Sequence, residues 1–166
     1  MTAIDQAINT QLQLDVDLHG LTKLEHGYFT DEYYNELTDV VIPEGIRSLG
    51  YHLFSDFTNL RSVSLPKSLR VIEWSVFRNC SSLTTINLPE NLTFIGTAAF
   101  DRCSSLSSLV IPEKVSVIKW GAFLRCPNLK ELVFKGKTMK QVRKMDGFPW
   151  MENKTDIDQI IRVQVS

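Results

Sequence analysis

The sequence has little of what marks a metal centre, a membrane span or a nucleic-acid-binding protein. It has three cysteines, three histidines, no paired Cys-x-x-Cys spacing and no histidine near a cysteine, which excludes the usual zinc patterns. No apolar run approaches the roughly 20 residues that a membrane-spanning helix needs. The formal net charge is −1, so no overall field attracts nucleic acid or anionic lipid. We expect no metal, no cofactor, no nucleic acid and no membrane among its partners.

Patterns that carry catalysis are missing as well. No histidine stands in a recognisable nucleophile setting, and the carboxylates fall at unrelated positions, so no catalytic pair is visible. The Gly-Lys-Thr at residues 136–138 lacks the glycine five residues upstream that a phosphate-binding loop requires. We predict that the protein is not an enzyme. A hydrophobic content of 43% and a charged content of 22% indicate one folded domain of ordinary size.

What the sequence does contain is a strict internal repeat. Pro43, Pro66, Pro89 and Pro112 stand 23 residues apart, and most apolar residues between them recur at the same interval. The main apolar columns are Leu37, Leu60, Leu83, Leu106 and Leu129; Val40, Val63, Ile86, Leu109 and Leu132; and Phe54, Phe77, Phe100 and Phe123. A fixed period of this size indicates a solenoid, in which each repeat buries its apolar side only by stacking on its neighbours.

Each repeat is predicted to contribute one short strand and a return segment. Ile86 and Leu88 bracket an outward residue, which is the alternation of a strand, and Pro89 ends this strand because it has no N–H to donate. Only some ten residues separate Pro89 from Phe100, too few for a helix of any length. We therefore expect a short second strand or turn on the return side.

The predicted organisation is a single domain with atypical ends. Its parts are residues 1–36, an N-terminal cap with a degenerate repeat; 37–128, four 23-residue repeats; and 129–166, a C-terminal cap of strand, helix and closing strand. The N-terminal cap contains an alternating strand over residues 12–18, and Thr138 and Gln141 have the spacing of a capping box. Such ends cover the outer rungs of a solenoid, which would otherwise template aggregation.

The three cysteines follow the repeat. Cys80, Cys103 and Cys126 stand 23 residues apart, and Phe57 holds the same position one repeat earlier. A site that accepts phenylalanine or cysteine is a packing site, where free cysteine behaves as a small hydrophobe. Equivalent side chains on stacked rungs point in parallel, so their Cβ vectors do not converge for a disulfide. We predict three buried thiols.

The repeat also resembles a known family. Residues 83–105 read L-x-x-I-x-L-P-x-x-L-x-x-I-G-x-x-A-F-x-x-C, which is similar to the BspA-like leucine-rich repeat, and the resemblance covers residues 37–134. It implies a right-handed leucine-rich-repeat solenoid of mainly β structure, with a parallel sheet along one face and short second strands or turns on the other. It also implies an adhesion or protein-binding module without catalysis, of the kind found on bacterial surfaces, in protists and in phage genomes.

The first residues have no basic flank and no continuous apolar run. We therefore expect no secretory signal and a cytoplasmic protein, located in the host cytoplasm if a phage encodes it.

One candidate binding surface is the outward side of the first strands. Its side chains are small and rich in hydroxyl groups, with few charges and no aromatic ring. The candidates are Ser62, Ser64, Thr85, Asn87, Ser108 and Val110. The alternative is an ordinary solvated sheet face with no partner.

A second candidate is a column of large rings, Tyr51, Trp74 and Trp120, which Thr97 interrupts. Phe94 precedes Thr97 by three residues and flanks the column. If these side chains face outward, they form an apolar strip of the kind found at interfaces, where tyrosine and tryptophan are enriched. If they fold onto neighbouring rungs, they are ordinary packing. The spacing alone leaves both interpretations open.

Charge is uneven along the chain. Residues 1–36 carry seven acidic side chains against Lys23 alone. The basic candidates of the C-terminal cap are Lys135, Lys137, Lys140, Arg143 and Lys144. These ends are either solvated cap surfaces or the two halves of a head-to-tail contact between copies of the chain.

The repeat and the resemblance together predict a non-enzymatic protein–protein interaction module that binds its partner through one face of the solenoid. The alternative is a self-assembling, structural or adhesion protein with a protein or glycan ligand.

Overall fold

The computed structural model of the protein describes residues 12–13, 22–29, 33–151 and 158–164. In these residues the fold is a mainly β, parallel solenoid of about five turns with little helix, so the predicted fold class is confirmed. The elements in chain order are β1 (Leu12–Gln13), β2 (Lys23–Leu24), β3 (Asp39–Val41), β4 (Ser48–Leu49), β5 (Ser62–Ser64), β6 (Val71–Ile72), β7 (Thr85–Ile86), β8 (Phe94–Ile95), β9 (Ser108–Ile111), β10 (Val117–Ile118), β11 (Glu131–Lys135), α1 (Met139–Val142) and β12 (Ile161–Gln164).

The strands stack in parallel, rung upon rung. Strands from the first half of each repeat form two ladders, ordered β1-β3-β5-β7 and β9-β11-β12, and strands from the second half form one, ordered β2-β4-β6-β8-β10. Residues at equivalent positions of successive repeats are paired directly, with Val40 opposite Val63 and Val63 opposite Ile86. The short second strand predicted for the return side is present as two residues in each regular repeat.

The core consists of columns of equivalent side chains. Phe54, Phe77, Phe100 and Phe123 are fully buried, and the centroids of consecutive rings lie 5.2–5.8 Å apart in stacked geometry. The prediction of one phenylalanine column is thus confirmed. Each large side chain removed from water contributes about 1.5–3 kcal/mol of transfer free energy, so these columns hold adjacent rungs together.

The cysteines form a second buried column beside the phenylalanines. All three thiols are free and buried, as predicted, and the Sγ of Cys80 donates to the Phe54 carbonyl at 3.0 Å. Burial raises the pKa of Cys126 to about 12 and also raises the pKa values of Cys80 and Cys103. The thiols are therefore protonated packing groups and not nucleophiles.

The return segment after each second strand is a series of turns that requires left-handed residues. Each regular rung has two of them; in the rung of Phe100 they are Ala98, with φ of 53°, and Arg102, with φ of 61°. Because these residues rotate the backbone, the N–H groups of Ala98, Phe100 and Arg102 all donate to carbonyls of the next rung. The turns are thus hydrogen-bonded along the solenoid as regularly as the strands are.

The C-terminal cap takes the place of the rung that would come next. Trp150 is fully buried, and its carbonyl accepts a hydrogen bond of 3.2 Å from the Phe123 N–H. Its indole Nε1 donates to the Ile118 carbonyl at 2.9 Å. The carbonyl and the indole N–H of Trp150 therefore replace the backbone acceptor and donor that another repeat would supply to the last regular rung.

Two further features complete this cap. Gly147 lies so close to the last rung that a Cβ there would be 2.5 Å from the Trp120 nitrogen, and its φ is +77°, so the position requires glycine. Thr138 and Gln141 form the capping box expected at the start of α1, and β12 pairs in parallel with β11.

The N-terminal segment continues the coil with a different spacing. Leu12 pairs with Val40, and Lys23 pairs with Ser48, so both of these steps are longer than the period of the regular repeats. Residues 14–18 of the predicted N-terminal strand lie outside the described part of the chain, and so does any structure over residues 1–11.

Candidate functional site

Three large rings form one exposed column, which we call the aromatic strip: Tyr51, Trp74 and Trp120. Its register is fixed by the backbone, because the carbonyls of Trp74, Thr97 and Trp120 each accept a hydrogen bond of 2.9–3.2 Å from the preceding rung. The rings of the strip are 46%, 54% and 63% exposed in chain order. Each ring therefore keeps about half of its surface in solvent, although Tyr51 and Trp74 also contact a histidine of the preceding rung. Their binding of a partner stays a prediction.

Two histidines extend the aromatic strip toward its N-terminal end. The ring of His26 stacks on Tyr51 with centroids 5.7 Å apart, and the ring of His52 lies edge-on to Trp74 at 4.8 Å. Burial of His52, assisted by the charge of His26, lowers the pKa of His52. The His52 ring is therefore uncharged at neutral pH.

Sequence reasoning missed His26 because of its spacing. The step from His26 to Tyr51 equals the step from Lys23 to Ser48, by which β2 pairs with β4, and it is longer than the regular period. The signal available in the sequence was the extra length of the degenerate repeat. Because of it, residues before Leu37 match their counterparts in the next repeat at an interval longer than 23 residues.

Thr97 leaves a groove in the aromatic strip, on the rung where a ring is missing. The groove has a volume of about 510 Å³. It is lined by Val71, Glu73, Trp74, Phe94, Gly96, Thr97 and Lys119. Its floor is backbone in direct contact between rungs, since a Cβ on Gly96 would lie 2.5 Å from the carbonyl carbon of Glu73. Val71 and Phe94, half-buried on β6 and β8, form an apolar wall.

The charged side chains at the rim of this groove are paired within the chain. Glu73 Oε1 accepts from Lys23 Nζ at 3.0 Å and from the Ser48 hydroxyl at 3.4 Å, and Lys119 Nζ donates to the Asp146 carboxylate. The hydrogen bond to Glu73 raises the pKa of Lys23, and the one from Lys119 lowers the pKa of Asp146. The groove thus combines an apolar wall with a rim whose charges are largely neutralised.

The candidates of the sheet face share one surface. Ser64, Thr85, Asn87 and Ser108 are exposed, Ser62 is half-buried, and Val110 is 43% exposed. The Ser62 hydroxyl donates to the carboxylate of Asp39 on the neighbouring strand. The strands bring these residues together as expected, and their role in binding stays a prediction.

Most of the basic candidates in the C-terminal cap already have partners in the chain. The internal acceptors are Glu90 for Lys135 at 2.8 Å, Asp158 for Arg143 at 3.0 Å, and the Glu113 carbonyl for Lys137. Lys140 and Lys144 are exposed. Of the seven acidic side chains in residues 1–36, only Glu25 and Glu36 lie in the described part. The head-to-tail contact stays a prediction with little free basic charge to support it.

A polar ladder on the turn side was also missed from the sequence. Asp101 is only 2% exposed, and its two carboxylate oxygens each accept a hydrogen bond of 2.9 Å from Arg125. The Nε of Arg78 lies 3.8 Å from the same carboxylate. These residues occupy neighbouring columns on three successive rungs, so the ladder joins rungs by charge where the phenylalanines join them by apolar contact.

Other kinds of site are not found in the part of the chain that the structure describes. No three His, Cys, Asp or Glu side chains there come together as metal ligands. In the same residues, no helix is long and apolar enough to cross a membrane. The candidates on the described surface are therefore the aromatic strip with its groove and the sheet face.

One protein family matches most of the chain. The family described as BspA type Leucine rich repeat region matches residues 22–145 in six copies. The match therefore reaches beyond the four regular repeats into both caps. No protein with a curated description matches the chain.

Similar folds occur in solved structures of bacterial proteins. A leucine-rich repeat protein of T. pallidum has a TM-score of 0.67 and 25% identity, over 94% of this chain and 74% of that protein. One from Bacteroides ovatus has a TM-score of 0.57 and 25% identity, over 68% of this chain and 37% of that one. The pneumococcal vaccine antigen PcpA is similar in fold alone, with a TM-score of 0.65 and 18% identity over 87% and 34% of the two chains. The chain thus spans only a little over a third of the last two proteins.

Proposed function

The chain belongs to the BspA-type leucine-rich repeat family, and we propose that it is a non-enzymatic module that binds a protein partner through the aromatic strip. Membership of a leucine-rich repeat family supports an interaction or structural role. The observation that carries the proposal is the exposure of three large rings in one column, at 46%, 54% and 63%, with a groove beside Trp74 on the rung of Thr97.

The energetic argument rests on the area that these rings leave in water. A large aromatic side chain has about 150–250 Å² to bury, so a half-exposed ring that becomes covered gains about 2–3 kcal/mol at about 25 cal/mol per Å². Single exposed apolar residues are ordinary on any surface, whereas a row of them marks an interaction site. Tryptophan and tyrosine are also the residues that most often dominate interface energetics.

A protein is favoured over a nucleic acid by the charges around the strip. Lys23 and Lys119, the basic groups near its rim, are both paired with carboxylates of the chain. A phosphate backbone is bound mainly by unpaired Lys and Arg side chains. A partly apolar protein surface makes no such demand.

The test is a comparison of partners retained by matched variants from a lysate of the source cells. Trp74→Ala and Trp120→Ala each remove one ring of the strip, and Val110→Ala removes an equally exposed apolar side chain from the sheet face. Proteins kept by the wild type and by Val110→Ala, and lost by both tryptophan variants, are the expected result when the eluates are quantified by mass spectrometry.

Two checks make the result decisive. Because all three side chains are exposed, thermal unfolding of the variants should match that of the wild type, which removes misfolding as an explanation. A partner that survives both tryptophan substitutions and disappears with Val110→Ala would assign binding to the sheet face and refute the role of the strip.

A further inference from the structure

The groove occupies the place of a missing ring. Along this column every regular rung except one carries a large aromatic side chain, and Thr97 stands where the ring is absent. Backbone hydrogen bonds keep Thr97 in register with Trp74 on one side and Trp120 on the other. The interruption is therefore a gap of one rung in an otherwise continuous surface, and not a shift of the column.

The size of the gap matches an aromatic ring. Adjacent rungs of a β structure lie about 4.8 Å apart, so Trp74 and Trp120 start from backbone positions about 10 Å apart. A ring placed on the rung of Thr97 lies about 5 Å from Trp74, which lines the groove, and this is within the range of favourable aromatic pairs. The buried phenylalanine column shows that this solenoid stacks rings at that interval, since its centroids are 5.2–5.8 Å apart.

The charges at the rim are complementary to an uncharged ring that carries a hydrogen-bond donor. A charged side chain entering the groove would meet Lys119 and Glu73, which are already paired within the chain. The Oε1 atom of Glu73 takes the bonds from Lys23 and Ser48, while its Oε2 atom accepts none from the described residues. The Glu73 side chain is 31% exposed, so its carboxylate can accept an N–H or O–H from a bound group.

We infer that the groove at Thr97 takes a tyrosine or tryptophan side chain of the protein partner, packed beside Trp74 with its donor toward Glu73. This inference rests on the proposed function, and it specifies which group of the partner the strip recognises. Tyrosine and tryptophan combine a large apolar ring with a hydrogen-bond donor. Phenylalanine fills the gap without the hydrogen bond and binds more weakly.

The first test titrates the protein with N-acetyl-tryptophanamide and follows the indole N–H signals of its three tryptophans by NMR. Trp74, which lines the groove, should shift in a saturable way. Trp150 should not, because its indole is buried and bonded to the Ile118 carbonyl, and it serves as the internal control. N-acetyl-phenylalaninamide should bind several-fold more weakly than the tryptophan probe. A titration without saturable shifts at Trp74 overturns the inference.

The second test fills the gap from within. Thr97→Trp places on this rung the side chain that its neighbours carry at the same position, so the variant should fold, and it should weaken probe binding by about tenfold or more. Thr97→Ser leaves the groove open and should bind the probe as the wild type does. Equal binding by the Trp and Ser variants refutes insertion. If methyl glucoside shifts the Trp74 signal and the indole probe does not, the groove binds a sugar, and the inference is refuted. If Trp74 shifts when the protein alone is concentrated, the groove binds a second copy of the chain, and the inference is also refuted.

The same variants separate this inference from the proposed function. In the lysate comparison, a partner lost by Trp74→Ala and retained by Thr97→Trp shows that the strip binds without insertion, so the inference alone fails. A partner retained by Trp74→Ala, Trp120→Ala and Thr97→Trp shows that the strip is not the binding surface, so both fail.

Discussion

Replacing Ala98 by glycine should stabilise this protein, although the change only removes a methyl group. Ala98 has φ of 53° and occupies the first left-handed position of its return turns, where the next rung has Gly121 at 66°. An L-residue in this conformation brings its Cβ too close to the following carbonyl oxygen. Glycine has no such contact, so the third regular rung carries a strain that the fourth does not.

The magnitude follows from two opposed terms. The left-handed conformation costs a non-glycine residue about 1–2 kcal/mol. Glycine loses about 0.4–1 kcal/mol more conformational freedom on folding than alanine does. The net gain for Ala98→Gly is therefore about 0–1.6 kcal/mol, with a central value of about 0.8 kcal/mol. The reverse change, Gly121→Ala, should cost a similar amount, because the nearest atom to a Cβ there is Leu124 Cβ at 3.7 Å, an ordinary contact.

The assay is urea unfolding followed by circular dichroism, with the midpoint compared at equal slope. The matched control is Ala99→Gly, the same chemical change one residue along. Ala99 is fully buried and is not among the left-handed residues, so this variant loses stability through flexibility and lost packing. Ala98→Gly should raise the midpoint, while Ala99→Gly and Gly121→Ala should lower it. If both alanine variants lose stability alike, the left-handed backbone is not the source of strain.

Three further outcomes follow from the packing. Phe100→Ala should lower the free energy of unfolding by about 3–5 kcal/mol, read from urea midpoints, because its ring is buried between two others; a loss below about 1 kcal/mol would contradict a continuous stack. Asp101→Ala should cost about 1–3 kcal/mol by the same measurement, since it removes two hydrogen bonds from Arg125 to a buried carboxylate, and Arg125→Ala in that background should then cost almost nothing more. The three cysteines should not react with a thiol reagent at pH 8 until urea unfolds the chain, because burial raises their pKa values; prompt labelling of the folded protein would show that the column opens.

The sheet register was predictable because stacking turns periodicity directly into contact. Once Val40, Val63 and Ile86 recur at one fixed interval, a parallel pairing of their strands is the one arrangement that buries all of them. The same reasoning located the thiols and the phenylalanine column. In each case one residue type, or one size, repeats at the equivalent position.

The features that could not be predicted are those for which equivalent positions carry no common residue type. The left-handed position is His52, Ser75, Ala98 and Gly121 in successive rungs, and these share no chemistry that a pattern could detect. The aromatic strip was visible as a column, but its exposure depends on how the turn directs each side chain. His26 and Trp150 took their places through spacings that differ from the regular period, so only the fold brings them to the first and last rungs that they cover.

The way Trp150 closes the solenoid has a consequence for its length. This residue bonds the final regular rung through the N–H of Phe123 and the carbonyl of Ile118, and every regular repeat offers the same two groups. Its ring also packs on Phe134 and Phe148, which belong to the cap itself. A whole repeat could thus be added or deleted ahead of Leu129, and Trp150 would still form its hydrogen bonds with the last rung. Elongation and termination are separable properties of this architecture, and the reach of the molecule can change without redesign of its end.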